Sequence, residues 1–291
     1  MKKAVVLMLV FCIMLSMTAC VGNLADKSPT NATSHAEPGN RLEFTTHDTF
    51  CEVTGIGTNT DTDILIPDTY DSLPVTSIGP RAFWNCTKMK SIIIPDSITS
   101  IGQLAFGNCT GLTSVSLGAG ITGIEDYVFS FCGSLTNIVI PNGVASIGKN
   151  AFSCCTSLEN VTIPDGVISI GSDAFEFCSS LKHIVIPGSI TAIGDYAFRN
   201  CSGLLEISIP ISVTSIGDGA FSYCNNLTSV EIPYTVTNID NWAFSNCTKL
   251  SSIVYAGTTE QWEKIEKGHN WAEGVPAVAV ICSNGTVSLS D

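Results

Sequence analysis

The sequence predicts a repeat solenoid: a parallel β-sheet along one face, short turns or helical turns along the other, and a cap at each end. Three observations predict it. A step of 23 residues governs the chain from Ile78, which recurs as Ile101, Ile124, Ile147, Ile170, Ile193, Ile216 and Ile239. The same step carries Phe83 to Phe244 and Cys86 to Cys247, and a further column reads Met89, Leu112, Leu135, Leu158, Leu181, Leu204, Leu227 and Leu250. A fixed period of ~20–50 residues marks a solenoid, propeller or array, because each unit buries its apolar face only against the next. Composition agrees: 45% of the 291 residues are hydrophobic and 13% charged, too apolar for a disordered chain.

In chain order, the first element is an export signal over residues 1–19. Lys2 and Lys3 precede an apolar run from Ala4 to Leu15 and a small-residue site. Such a run makes about 18 Å of helix, short of a ~30 Å hydrocarbon core, so a permanent span is not expected. Met17-Thr18-Ala19-Cys20 resembles a bacterial lipobox, with Met17 in place of the usual Leu. That resemblance implies diacylglycerol on Cys20 as the first mature residue, and lipid as the membrane anchor. Residues 20–40 carry Ser, Thr, Asn, Pro and Ala with little to bury, and read as a tether. Residues 41–77 read as an N-terminal cap and partial repeat. Leu42–Thr45 and Cys51–Thr54 suit a hairpin over the open edge, and Ile64-Leu65-Ile66-Pro67 repeats a strand ending.

Eight 23-residue repeats follow over residues 78–261. In one unit, Leu181, Ile184 and Ile186 give the L-x-x-I-x-I strand signature of a leucine-rich repeat. Ile184 and Ile186 share one strand face, and Pro187 ends the ladder for want of an N–H. Ile190 and Ile193 turn inward, Gly194 permits a bend, and Asp195 suits the cap of a helical turn Tyr196-Ala197-Phe198. Residues 262–291 read as the C-terminal cap, its helix beginning within the last repeat. Thr258 to Lys267 looks helical, with a capping box at Thr258 and Gln261 and a stop at Gly268. Trp262 and Ile265 would seal the last turn. Ala277–Cys282, Asn284-Gly285 and Val287–Leu289 suit a final hairpin.

These segments together resemble one family. The A-F, C-x-x-L-x-x-I-x-I-P and V-x-x-I-G pieces are similar to the BspA-like leucine-rich repeat proteins. So is the tail from Tyr255-Ala256-Gly257-Thr258 through Gln261-Trp262 to Cys282-Ser283-Asn284-Gly285-Thr286. The resemblance covers roughly residues 42 to 290. It implies a bacterial cell-surface protein used in adhesion, with some members similar to binders of extracellular-matrix proteins, and no catalytic residues. Gly118 and Ala256 depart from the strand-ending Pro, and Glu125 and Asp240 from the bend Gly, so local distortion is expected there.

The chemistry-bearing residues give little else. Thirteen Lys and Arg face 26 Asp and Glu, for a net −13, which supplies no cation excess for nucleic-acid phosphates. An exported chain with 13 cysteines could carry a disulfide framework. Yet cysteines stacked in one column point in parallel, whereas a bridge needs Cβ atoms about 3.8 Å apart and tilted together. An interior ladder of free thiols is therefore expected. No C-x-x-C suggests zinc. Asn85-Cys86-Thr87, Asn108-Cys109-Thr110 and Asn246-Cys247-Thr248 look like glycosylation sequons but read as repeat elements. His35, His47, His183 and His269 lie too far apart to assemble a triad. His269, near Trp271, reads as cap packing. Asp61, Asp63, Asp68 and Asp71 lack EF-hand spacing and read as a solvated loop. Neither a cofactor nor a metal is expected.

The outward strand column is the candidate binding face, concave as in leucine-rich repeats generally. Ile93, Val139, Thr162, Val185, Ser208 and Glu231 lie along it, with Asn137, Asn160, His183 and Glu206 in the column beside it. Aliphatic and hydroxyl residues with few charges make a flat, adhesive surface, although β-propensity alone also favours Val, Ile and Thr there. The function expected is non-enzymatic: a cell-surface protein, lipid-anchored outside the bacterial cytoplasmic membrane, that binds extracellular proteins or glycans of host matrix or other cells. The alternative is a structural envelope spacer or self-assembling surface protein without an external ligand.

Overall fold

The computed structural model describes residues 41–289. The expected export signal, the expected lipid site at Cys20 and the expected tether lie outside the described residues. Residues 41–289 form a β-solenoid of about ten turns, and three backbone ladders run along it.

The first ladder is built from the short strands of the L-x-x-I-x-I segments. Asp63–Leu65, Ser91–Ile93 and Ser114–Ser116 pair in parallel, as do Asn137–Val139 and Asn160–Thr162. Glu206–Ser208, Ser229–Ile232, Ser252–Tyr255 and Ala279–Cys282 form the last parallel group. Registers match residue 91 to 114 and 206 to 229, so the sequence step is the structural step. Alternation puts Ile92, Ile138 and Ile207 inside and their neighbours outside. The following proline begins a tight turn: Pro141 and Pro187 accept from the N–H groups of Val144 and Ile190 at 3.1 Å. Where Ala256 replaces proline, its N–H donates to Ile232 at 2.9 Å and the ladder gains a bond.

The second ladder consists of two-residue strands such as Ser146–Ile147, Ser169–Ile170 and Ser215–Ile216. The glycine that follows them serves close approach rather than a bend. A Cβ on Gly102 would fall 2.5 Å from the backbone nitrogen of Pro80, and one on Gly217 2.8 Å from that of Asp195.

The third ladder corrects the expected helical turn. Tyr196 and Asn200 have φ of 55° and 57°, outside any right-handed helix. Alternate N–H groups go to different places. Ala197, Arg199 and Cys201 donate back three residues within their own turn, while Tyr196, Phe198 and Asn200 donate to Asp218, Ala220 and Ser222 of the next turn. A helix would spend all these groups locally; the stack shares them. Asp195 likewise caps its neighbour, accepting from the N–H of Asp218 at 3.0 Å. The sequon column is explained here too: Asn85, Asn108, Asn200 and Asn246 occupy left-handed positions, which asparagine tolerates better than most residues.

Inside, the phenylalanines from Phe83 to Phe244 stack at 5.2–5.5 Å with ring planes within 12° of parallel. Each cysteine from Cys109 to Cys247 donates its thiol to the phenylalanine carbonyl of the preceding turn at 3.0–3.2 Å. All described cysteines are free thiols. Burial pushes the Cys109 thiol up to about 12 and Cys132 well above its usual range, so thiolate chemistry is suppressed.

The two ends carry antiparallel pairs. Glu43–Thr46 pairs with Cys51–Gly55, and Ala279–Cys282 with Gly285–Ser288. The five-residue insertion before Val75 forms a small hairpin whose turn residues Asp71 and Ser72 both have positive φ. The helix is shorter than expected, spanning Thr259–Glu263 with the Thr258–Gln261 capping box intact. It ends early because Glu266–Lys267 joins the second ladder against Asn238–Ile239. Trp262 and Ile265 are buried, and Trp271 meets both Phe244 and Trp262 edge-on.

Candidate binding face

Strand alternation sends every second residue of the first ladder to solvent, and all ten sequence-predicted face residues are exposed. Ile93 is 50% exposed, Val139 67% and Val185 78%, far more than large aliphatic side chains normally are. Thr162, Ser208 and Glu231 continue their column. Beside them, Asn160 Nδ2 donates to Asn137 Oδ1 at 2.9 Å, and His183 Nδ1 lies 3.6 Å from Glu206 Oε1. Side chains at neighbouring rungs thus hold one another in place without burying themselves.

Two members of the column escaped the sequence reading. Leu65 and Ile281 extend the aliphatic line at its ends, at 65% and 47% exposure. Their pairing gives them away: Leu65 sits opposite Ile93, and Val254 opposite Ile281. Insertions make those steps 28 and 27 residues, so a strict 23-residue search passes over both.

The structure does not join all ten residues in one continuous sheet. Ile93 belongs to the first group of strands. Asn137, Val139, Asn160 and Thr162 belong to the second, and Glu206, Ser208 and Glu231 to the last. His183 and Val185 lie between groups, in a segment without strand pairing among the described residues. The opening between Ser114–Ser116 and Asn137–Val139 is a shallow cleft of about 710 Å³ at Leu117, Ala119 and Asn142. Val115 and Leu117, whose equivalents are buried elsewhere, are only partly buried here. This opening coincides with Gly118 and Glu125, two of the departures from the repeat.

Nothing on this face resembles a catalytic constellation. Among the described residues, no three His, Cys, Asp or Glu side chains converge as metal ligands would. No helix among them is long and apolar enough to cross a membrane. Asp63 is held below the usual carboxylate range by hydrogen bonds from Ser91 and Thr62, which makes it a fixed surface anion rather than a proton carrier.

The BspA type leucine-rich repeat region matches this sequence in six copies, over residues 76–205 and 193–267. The chain belongs to that family. Among solved structures, the BspA-type chain is similar to a leucine-rich repeat protein of T. pallidum at 27% identity, covering 74% of this chain and 90% of that one, with a TM-score of 0.53. A leucine-rich cell surface protein of Faecalibacterium prausnitzii matches at 25% identity over 83% and 99%, with a TM-score of 0.46. A leucine-rich repeat protein of Bacteroides ovatus matches at 25% over 83% and 77%, with a TM-score of 0.45. A search of curated protein sequences returns no match.

Proposed function

We propose that this BspA-type protein binds extracellular macromolecules, proteins first and glycans second, through the outward column of its first ladder. The exposed line Leu65, Ile93, Val139, Val185 and Ile281 carries the reading. Such side chains on a soluble surface supply apolar area to a partner, while Asn137, Asn160, Thr162 and Ser208 supply hydrogen bonds that fix its register. Glu206 and Glu231 add negative charge and favour a partner with basic groups opposite them. The protein is exported and held outside the cytoplasmic membrane by lipid on Cys20, a reading supported by the Met17-Thr18-Ala19-Cys20 signal. It performs no catalysis.

The test immobilises the mature protein against matrix proteins, mucins and whole-cell extracts. Binding that is lost in the Val139→Asp, Thr162→Asp and Val185→Asp variants, with thermal unfolding unchanged, supports the face. Interactions that survive all three substitutions refute it. Palmitate labelling that disappears in Cys20→Ala supports the anchor, and labelling of neither form refutes it.

A further inference from the structure

On the third ladder, away from the sheet face, a separate cleft of about 260 Å³ opens near the C-terminal end. Tyr196, Tyr223 and Trp242 line it. Tyr223 and Trp242 are both 42% exposed. All three have positive φ, at 55°, 61° and 53°. In the same two columns, several turns use asparagine or glycine: Asn150 and Gly219 in one, Asn85, Asn108, Asn200 and Asn246 in the other. Those residues enter the left-handed region at lower cost than an aromatic does. Other bulky residues, such as Leu104 and Tyr127 in the first column and Phe131 and Phe177 in the second, also sit there, so strain alone singles out nothing. What distinguishes this place is convergence. Three costly aromatics from successive turns meet at one cleft.

The polar groups around them are fixed. The Arg199 guanidinium lies 5.4 Å from the Tyr196 ring centre and donates to buried Glu176 at 3.5 Å. Burial, helped by a hydrogen bond with Asp218, pushes the Tyr196 phenol up to about 12, so it stays protonated. Ser222 and Ser245, 3% and 2% exposed, also line the cleft. Asn246 Nδ2 donates to Ser245 Oγ at 2.8 Å. Glu273 adds an exposed carboxylate. Backbone bonds from Tyr223 to Ser245 and from Trp242 to His269 hold the aromatic positions to the next turn.

We propose that this cleft binds a neutral glycan. Exposed aromatic rings offer flat apolar faces to the C–H face of a pyranose, while the amide, hydroxyl and carboxylate groups beside them suit ring hydroxyls. The volume lies below the ~300–1,000 Å³ of drug-sized pockets, which fits one or two sugar rings on an open surface. Charge selects the class. Two carboxylates, Glu273 and the Asp218 that hydrogen-bonds Tyr196, face the one Arg199 guanidinium, so the cleft is net negative and repels sialylated or sulfated sugars. The site is independent of the sheet face and does not rest on the function proposed for it.

The experiment titrates the mature protein with neutral mannose, glucose and N-acetylglucosamine oligosaccharides, and with sialyllactose and heparin fragments, following tryptophan fluorescence and calorimetric heat. Trp242→Asn and Tyr223→Asn are the variants, since asparagine already occupies the left-handed positions of these columns and keeps the fold. At least one neutral series is expected to bind, and each substitution to weaken it about tenfold, with Tm equal to or above that of the parent. Val139→Asp should leave sugar binding unchanged, which separates this site from the sheet face. No binding of any neutral series, a preference for the anionic sugars, or affinity that survives the double substitution would overturn the proposal.

Discussion

The two long faces of the solenoid obey different rules. On the third ladder the rings stack without interruption from Phe83 to Phe244, and every turn from Cys109 to Cys247 repeats the same thiol-to-carbonyl bond. On the first ladder, strand pairing stops between Ser116 and Asn137 and again around 183–185. The stack therefore survives gaps in its β-sheet but shows none in its aromatic and thiol columns. Shape identity explains the contrast. A phenylalanine column needs the same residue at every turn to keep its rings parallel, so the register is locked from inside. The strand column can vary its outward residues freely, because solvent, not the next turn, receives them. The regular interior leaves the outward face free to vary.

Breaking the interior should give the largest effect. Phe152→Ala removes one ring from mid-stack, with Phe129 and Phe175 on either side at 5.5 and 5.3 Å. A loss of about 3–5 kcal/mol is expected by denaturant unfolding. Cys155→Val comes next. It overfills a fully buried site and removes the bond to the Phe129 carbonyl, at a cost of roughly 1–3 kcal/mol. Cys155→Ser, whose hydroxyl can keep that bond, should fall to about 1 kcal/mol.

A gentler probe is pH. Glu176 is the single buried carboxylate among the described residues. Burial raises its pKa from 4.5 to about 7, Asp173 adds to the rise, and Arg199 opposes it. The folded state thus holds this proton more tightly than the unfolded one. Its contribution to stability is largest below pH 4.5, declines as pH rises to about 7, and is level above. Glu176→Gln should remove that decline and raise Tm at pH 8, as measured by calorimetry across the range. The smallest stability effect belongs to the sheet face: Val185→Asp should change unfolding by less than about 0.5 kcal/mol.

Much of this contrast was legible in the sequence. Residues that recur every 23 positions named the interior, since only buried sites demand one residue type at each turn. The outward strand residues followed from alternation. The left-handed backbone of the third ladder did not: asparagine at 85, 108, 200 and 246 fits it, but Phe131, Cys154, Phe177 and Tyr223 share the conformation without carrying that signal, because it is set by hydrogen bonds between turns. Tyr196-Ala197-Phe198 accordingly read as a helical turn. Gly118 and Glu125 marked a distorted turn but not the loss of strand pairing beside it. Leu65 and Ile281 were hidden by insertions that reset the step. The aromatic cleft was hidden for another reason: Tyr196, Tyr223 and Trp242 come from two different columns and meet only in three dimensions.

The central claim is that recognition resides in the exposed aliphatic column while the stacked interior only supports it. Surface-immobilised capture of extracellular matrix proteins and mucins by the parent and by a Val139→Asp/Val185→Asp variant tests this most directly. The account predicts that the double variant unfolds at the parent's temperature and loses capture by at least about tenfold, equivalent to ~1.4 kcal/mol. Equal capture by the two proteins would contradict it.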